Sequence, residues 1–247
     1  GNVVGKDQHL IRGVTGPAKR VLLFGNLTDG NFDRETASAI FNDPVVQRRA
    51  IDGIIETSEA LEVAGVQIDF EDIAYADRDA YTAFLANLKS QLTPRNMTLS
   101  VAVAAKTWDD PNGWGGATDY PAIGLIADQV YIMAYDQHWL GGDPGPVAGL
   151  DWTEQVVRYA VGVMPAQKIL LGIPVYGYEW AADKENSTER NRAFGYNRLR
   201  LRVADHGGEI EWNERIGENV GRFQTESGEE RIAYFPDERS LELKLKL

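Results

Sequence analysis

Apolar positions along the chain gather into five short, nearly continuous runs: RVLLFGNL (20–27), GVQIDFED (65–72), TLSVAVAAK (98–106), QVYIMAYD (129–136) and KILLGIPVYGY (168–178). Each has the length of a strand. Their Val, Ile, Leu and Tyr content barely alternates with polar residues, which predicts parallel strands covered on both faces. Between them lie longer stretches with helical spacing: 33–63, 77–92, 119–127 and 151–163, each opened by an Asp suited to cap a helix. Pro44 is expected to divide the first of these into two helices, because a mid-helix proline removes a donor and clashes with the preceding turn.

Strand alternating with helix predicts an α/β fold built on a parallel sheet, either a closed (β/α)8 barrel or an open doubly wound sheet. Polar residues collect at the carboxyl ends of the runs: Asn26, Asp69 with Glu71, Lys106, Tyr135 with Asp136, and Tyr176 with Tyr178. Both architectures place their sites there. From about residue 181 the pattern turns charged and Gly-containing, predicting an α+β insertion over 181–236. Within it IEWNE and RIAYF read as short strands, and DERSLELKLKL reads as a closing helix.

With 247 residues, 43% of them hydrophobic, the chain supports one sizeable core, so residues 1–247 are read as a single domain. A net charge of -12 repels polyphosphate, which excludes nucleic acid as a partner on electrostatic grounds. No apolar run approaches the roughly 20 residues of a membrane-spanning helix. Cysteine is absent, so disulfide and thiolate chemistry are excluded. The chain starts at Gly1 rather than Met, and sequence upstream of it is expected.

The stretch GVQIDFED carries the chemistry. Gln67, Asp69 and Glu71 occupy alternate positions and share one face of a strand, about 6.6 Å apart, while Val66, Ile68 and Phe70 take the other. Asp72 reads as a solvated strand end. Asp69 does not, since it lies between apolar neighbours where an unpaired charge is costly. Two nearby acids drive their pKa values apart, leaving one able to donate a proton while the other is ionised, an arrangement suited to glycosidic cleavage.

GVQIDFED resembles the signature strand of glycoside hydrolase family 18, the chitinase-like barrels, with pattern Asp-Gly-x-Asp-x-Asp-x-Glu. Gly65, Asp69 and Glu71 match it; Ala64 and Gln67 stand where the family has Asp. VLLFGN resembles the family's third strand, YIMAYD its sixth and KILLGIPVYGYEW its seventh, and the set is most similar to the bacterial branch of spore-cortex and cell-wall hydrolases. The resemblance implies a (β/α)8 TIM barrel with an α+β insertion before the last strand. Strands like the third to seventh are present, whereas counterparts of the first, second and eighth are missing, so the chain is expected to be part of a longer product.

The resemblance also implies a glycoside hydrolase acting by substrate assistance, with Glu71 as acid and base, Asp69 orienting the acetamide and Tyr135 bonding its carbonyl oxygen. Asp136 and Met133 would line the sugar subsite. Gln67, Asn26, Tyr176 and Tyr178 are further substrate-binding candidates from their strand-end positions, as are Trp139 and Trp180, whose faces suit sugar stacking. The implied substrate is a polysaccharide containing N-acetylglucosamine, peptidoglycan or chitin, and the implied setting is secreted or cell-envelope, with the protein a monomer. No cofactor is expected. A metal site around His138 is disfavoured because no close-spaced ligand pair accompanies it. A non-catalytic, glycan-binding module is the competing reading, motivated by Gln67 and the missing eighth strand.

Overall fold

A computed structural model describes residues 18–183, 187 and 189–247. The chain divides into two compact units, one reaching Ile132 and including Ala160–Leu170, the other made of Met133–Tyr159 and Leu171–Leu247.

Five strands, β1 (Val21–Gly25), β4 (Gly65–Asp69), β5 (Thr98–Ala104), β6 (Gln129–Met133) and β7 (Ile169–Leu171), form one sheet in that order. Pairing of β1 with β4 and of β4 with β5 is parallel. The order follows the sequence and never reverses, so this sheet has no switch point of the doubly wound kind. A two-stranded hairpin, β2 (Leu27–Thr28) with β3 (Asn31–Phe32), follows β1.

Helices fill the intervals. Pro44 divides the first helical stretch as expected: α1 (Arg34–Asn42) is capped by Asp33, and α2 (Pro44–Ala60) begins on the proline with Asp43 as its cap. Proline is tolerated there because the first-turn N–H has no intrahelical acceptor in any case. Next come α3 (Arg78–Leu92), α4 (Tyr120–Ile126) and α5 (Leu150–Val163). Asp119 caps α4, but Asp77 does not cap α3; its carboxylate accepts from Asn42 Nδ2 at 2.8 Å instead. Asp151 falls inside α5.

Packing in the first unit follows the strand faces. Val66 and Ile68 are fully buried, and Phe70 joins Phe41, Tyr81 and Phe84 in an aromatic cluster with α1 and α3, centroids 5.0–6.5 Å apart. Gly65 is required by strand spacing: a Cβ there would lie 2.1 Å from Thr98 Oγ1.

The run at 168–178 is not one strand. It ends at Leu171, and a separate strand, β8 (Tyr176–Ala181), belongs to an antiparallel sheet. Pro174 lies between them and cannot donate to a ladder. That sheet has order β10-β11-β12-β8-β9, with β9 (Arg192–Gly195), β10 (Glu209–Asn213), β11 (Glu218–Gln224) and β12 (Glu230–Phe235). Helix α6 (Tyr196–Asp205) covers it through Leu199 and Val203, and α7 (Glu238–Lys244) starts in a capping box on Asp237.

Two buried carboxylates tie this second unit together through ion pairs. Glu179 of β8 meets Arg202 and Arg231, and Glu218 of β11 accepts from Lys244 Nζ at 3.2 Å and from the N–H groups of Val147 and Ala148. Among the described residues no helix is long and apolar enough to cross a membrane.

Candidate active site

Strand β4 ends at Asp69, so Glu71 lies just beyond the ladder, at its carboxyl end. Gln67 and Asp69 face away from the helices, since Val66 and Ile68 occupy the buried helix side. Gln67 is in register with Ser100 of β5, and its Oε1 accepts from Ser100 Oγ at 3.3 Å. Its amide does not reach Asp69 Oδ1, which is buried with no hydrogen-bond partner among the described residues. Burial raises the Asp69 pKa above the ordinary carboxylate value, because the charged form loses hydration with nothing to replace it at that oxygen.

Glu71 is held at both ends. Its carboxylate Oε2 accepts from the indole Nε1 of Trp114 at 3.2 Å. Its backbone N–H donates to Asn26 Oδ1, and its carbonyl accepts from Asn26 Nδ2, both at 2.9 Å. Asn26, expected to touch substrate, is therefore a buried residue whose amide is committed to the protein. The following residue, Asp72, takes a left-handed backbone conformation, φ 53°, and is fixed by Arg34 through an ion pair and a bond from Nε to the Asp72 carbonyl.

In the second unit Tyr135 and Asp136 follow the end of β6. Asp136 also has a left-handed backbone, φ 57°, a conformation that Asp tolerates better than most residues. Its Oδ1 accepts from the phenols of Tyr176 at 2.5 Å and Tyr178 at 2.7 Å. Desolvation, then the Asp136 carboxylate, hold both phenols in their neutral form with pKa values well above normal. Tyr135 meets Tyr176 edge to face, centroids 6.4 Å apart. The tyrosines expected at a barrel-strand end thus sit on β8 of the antiparallel sheet and converge on Asp136.

Trp180, expected as a sugar platform, is fully buried between Tyr178 and Tyr234 and offers no open face; an aromatic at the inner face of a packed sheet is core. Trp139 is exposed and lies over Gly141. Met133, the last residue of β6, is half-buried. His138 Nδ1 contacts the Asp143 carbonyl at 3.0 Å within its own loop, and among the described residues no group of three His, Asp or Glu could hold a metal. His9 lies outside the described residues.

Three residues around Asp69 and Glu71 escape sequence reasoning: Trp114, Ser100 and Tyr81. Trp114 lies in PNGWGG, well beyond the end of β5 and past Trp108, so the strand-end rule that singled out Trp139 does not pick it out. The Tyr81 hydroxyl is buried with no hydrogen-bond partner among the described residues, and burial first, then the charge of Asp69, raises its pKa.

Residues 19–247 match the family described as Glycosyl hydrolases family 18. The chain is 31% identical over 222 residues to the provisionally named sporulation-specific glycosylase YdhD of Bacillus subtilis, covering 90% of this chain and 52% of that protein. A crystal structure of YdhD superposes with a TM-score of 0.90 at 28% identity, over 98% of this chain and 80% of that one. The cortical fragment-lytic enzyme of Bacillus anthracis is 31% identical over 92% of this chain and 53% of its own length. A chitinase structure from Chromobacterium violaceum gives a TM-score of 0.83 at 27% identity, over 98% of this chain and 75% of that one. The chain spans about half the length of these two curated relatives.

Proposed function

The chain belongs to glycosyl hydrolase family 18, and from that premise we propose that it cleaves β-1,4 glycosidic bonds next to N-acetylglucosamine in bacterial cell-wall peptidoglycan, with retention. The five strands of the parallel sheet stand for the third to seventh of a (β/α)8 barrel, and the antiparallel sheet for the insertion before the eighth. The observation that carries the proposal is the carboxyl end of β4, where Asp69 faces away from the packed helices and Glu71 stands beyond the ladder, gripped by Asn26 and Trp114.

Glu71 donates its proton to the glycosidic oxygen as the C1–O bond breaks, and the acetamido carbonyl oxygen of the same sugar bonds to C1 to give an oxazolinium ion. Water then attacks C1, the Glu71 carboxylate accepts its proton, and the ring opens to the N-acetyl sugar. Asp69 orients the acetamide N–H and offsets the positive charge. Tyr135 donates to the acetamide oxygen, Asp136 and Met133 border the sugar, and Trp139 stacks on a neighbouring ring. Asp136 fits this task because two phenols already fix its carboxylate.

Peptidoglycan is preferred to chitin because the Bacillus anthracis relative is named for lysis of cortical fragments. A cell-envelope or secreted setting follows from that substrate. Glu71→Gln decides between catalysis and glycan binding alone. The variant should lose release of reducing ends from muropeptide-bearing glycan while still binding it; wild-type turnover by Glu71→Gln sinks the assignment, and tight binding without hydrolysis by the wild-type chain establishes the binding-module reading.

A further inference from the structure

The ladder between β1 and β4 stops at Gly25 opposite Asp69. Two residues later the backbone of Glu71 has left the sheet, yet its N–H and C=O are both paired, to the side-chain amide of the one residue that follows β1. Asn26 thereby stands in for a strand. Bonds to the N–H and to the C=O of one residue fix the peptide planes on either side of its Cα, hence its φ and ψ, hence the direction of its Cα–Cβ bond. The amide sets the direction in which the Glu71 side chain leaves the backbone.

Asn26 is itself well held. Its carbonyl accepts from Asp33 N–H at 2.8 Å, and its side chain is buried. Asp33 in turn caps α1, and Arg34, the first residue of that helix, secures Asp72. The requirement on position 26 is narrow: one acceptor and one N–H donor on a short, planar group. Aspartate offers acceptors only, so at neutral pH it would meet the Glu71 N–H well and the Glu71 carbonyl badly.

We propose that Asn26 is a positioning residue for Glu71, aiming the proton-donating carboxyl at the leaving-group oxygen without touching substrate. This rests on the assignment of Glu71 as general acid. Loss of the bracket leaves the glycan-binding surface in place and misdirects the acid, so the penalty falls on kcat. It falls most on leaving groups that need a proton.

The test compares the wild-type chain, Asn26→Asp, Asn26→Ala and Glu71→Gln on two substrates: the N-acetylglucosamine tetramer, whose leaving sugar must be protonated, and the 2,4-dinitrophenyl glycoside of the dimer, whose acidic phenol departs as an anion. For Asn26→Asp and Asn26→Ala the expected result on the tetramer is a loss of about 10²-fold in kcat with KM changed less than about twofold. On the dinitrophenyl glycoside the same variants should lose less than about threefold in kcat/KM, which reports departure of the leaving group and not the later attack of water, because little acid assistance is needed in that step. The ratio of the two kcat/KM values does not depend on how much of a variant is folded, so poor folding cannot imitate the result.

Equal losses on both substrates, or a tetramer kcat within about threefold of wild type, overturn the positioning role. Glu71→Gln separates the two readings. If it shows the same leaving-group selectivity, the acid assignment stands whatever Asn26 does. If it cleaves the tetramer at the wild-type rate, the acid assignment fails and this proposal fails with it.

Discussion

The indole N–H of Trp114 reaches Glu71 Oε2 across 3.2 Å, although the Trp114 side chain is itself largely exposed. Phe32 meets its ring edge on, centroids 6.0 Å apart, which limits the ring's freedom. Trp114→Phe keeps the apolar face and removes only the donor, so kcat/KM should fall by about three- to tenfold, the discounted worth of one partly exposed hydrogen bond to a charged group. Trp114→Ala also removes the ring and should raise KM. Steady-state kinetics with the N-acetylglucosamine tetramer separates the two effects, and an unchanged kcat/KM in Trp114→Phe would show that the bond is absent in the working enzyme.

Asp69 makes stability depend on pH in the opposite sense to a salt-bridged carboxylate. Burial raises its folded pKa above the ordinary 3.8. As pH rises from that value through the raised one, the native state keeps a proton that the unfolded state has released, so stability declines across this window. Asp69→Asn should therefore melt higher than wild type at pH 7, and the difference should vanish below about pH 4. Thermal unfolding at the two pH values reads it; a variant less stable at pH 7 would mean that the carboxylate is favourably paired.

Tyr81 carries a buried hydroxyl with no partner among the described residues, beneath the charge of Asp69. Tyr81→Phe keeps the stacking with Phe70 and Phe84 and removes the stranded group. The expected outcome is a gain of about 1 kcal/mol in chemical denaturation. A loss of similar size would reveal a hydrogen bond to Asp69 in solution.

Glu218 and Lys244 are both buried, and desolvation raises the Glu218 pKa against the opposing pull of the lysine. Lys244→Met strands the carboxylate and should cost about 3–5 kcal/mol. Glu218→Gln added to it should recover part of that loss. Urea unfolding of the single and double variants measures both; a cost below about 1 kcal/mol would show the pair to be solvated.

Most of the parallel sheet was legible because buried parallel strands write themselves as uninterrupted apolar runs. Pro44 announced the break between α1 and α2 for a reason local to the backbone. Pro174 carries the same information, yet the run at 168–178 reads as one strand unless the missing donor is weighed. Strand β11 is hidden by composition, since Glu218 and Asn219 are buried polar residues whose partners are Lys244 of α7 and Asp237, the cap of that helix. Alternation placed Gln67 and Asp69 on the strand face opposite the buried Val66 and Ile68, but it carried the strand on to Glu71, and the strand stops at Asp69. The role of Asn26 was not, because sequence locates a side chain at a strand end but says nothing of which backbone its amide meets. Trp180 and Trp114 show the same limit from opposite sides: one is core, the other bonds the Glu71 carboxylate.

The burial of Asn26 also bears on how the protein can be made. Asn26, Leu27 and Thr28 form an acceptor triplet for N-linked oligosaccharide, which secretory eukaryotic hosts attach while a chain is still emerging. A sugar on that nitrogen would occupy the donor meant for the Glu71 carbonyl and could not fit inside the folded unit, so yeast or insect secretion would yield misassembled material. Thr28→Val removes the acceptor signal and leaves the amide intact, whereas the customary Asn→Gln repair would dismantle the bracket it was meant to protect.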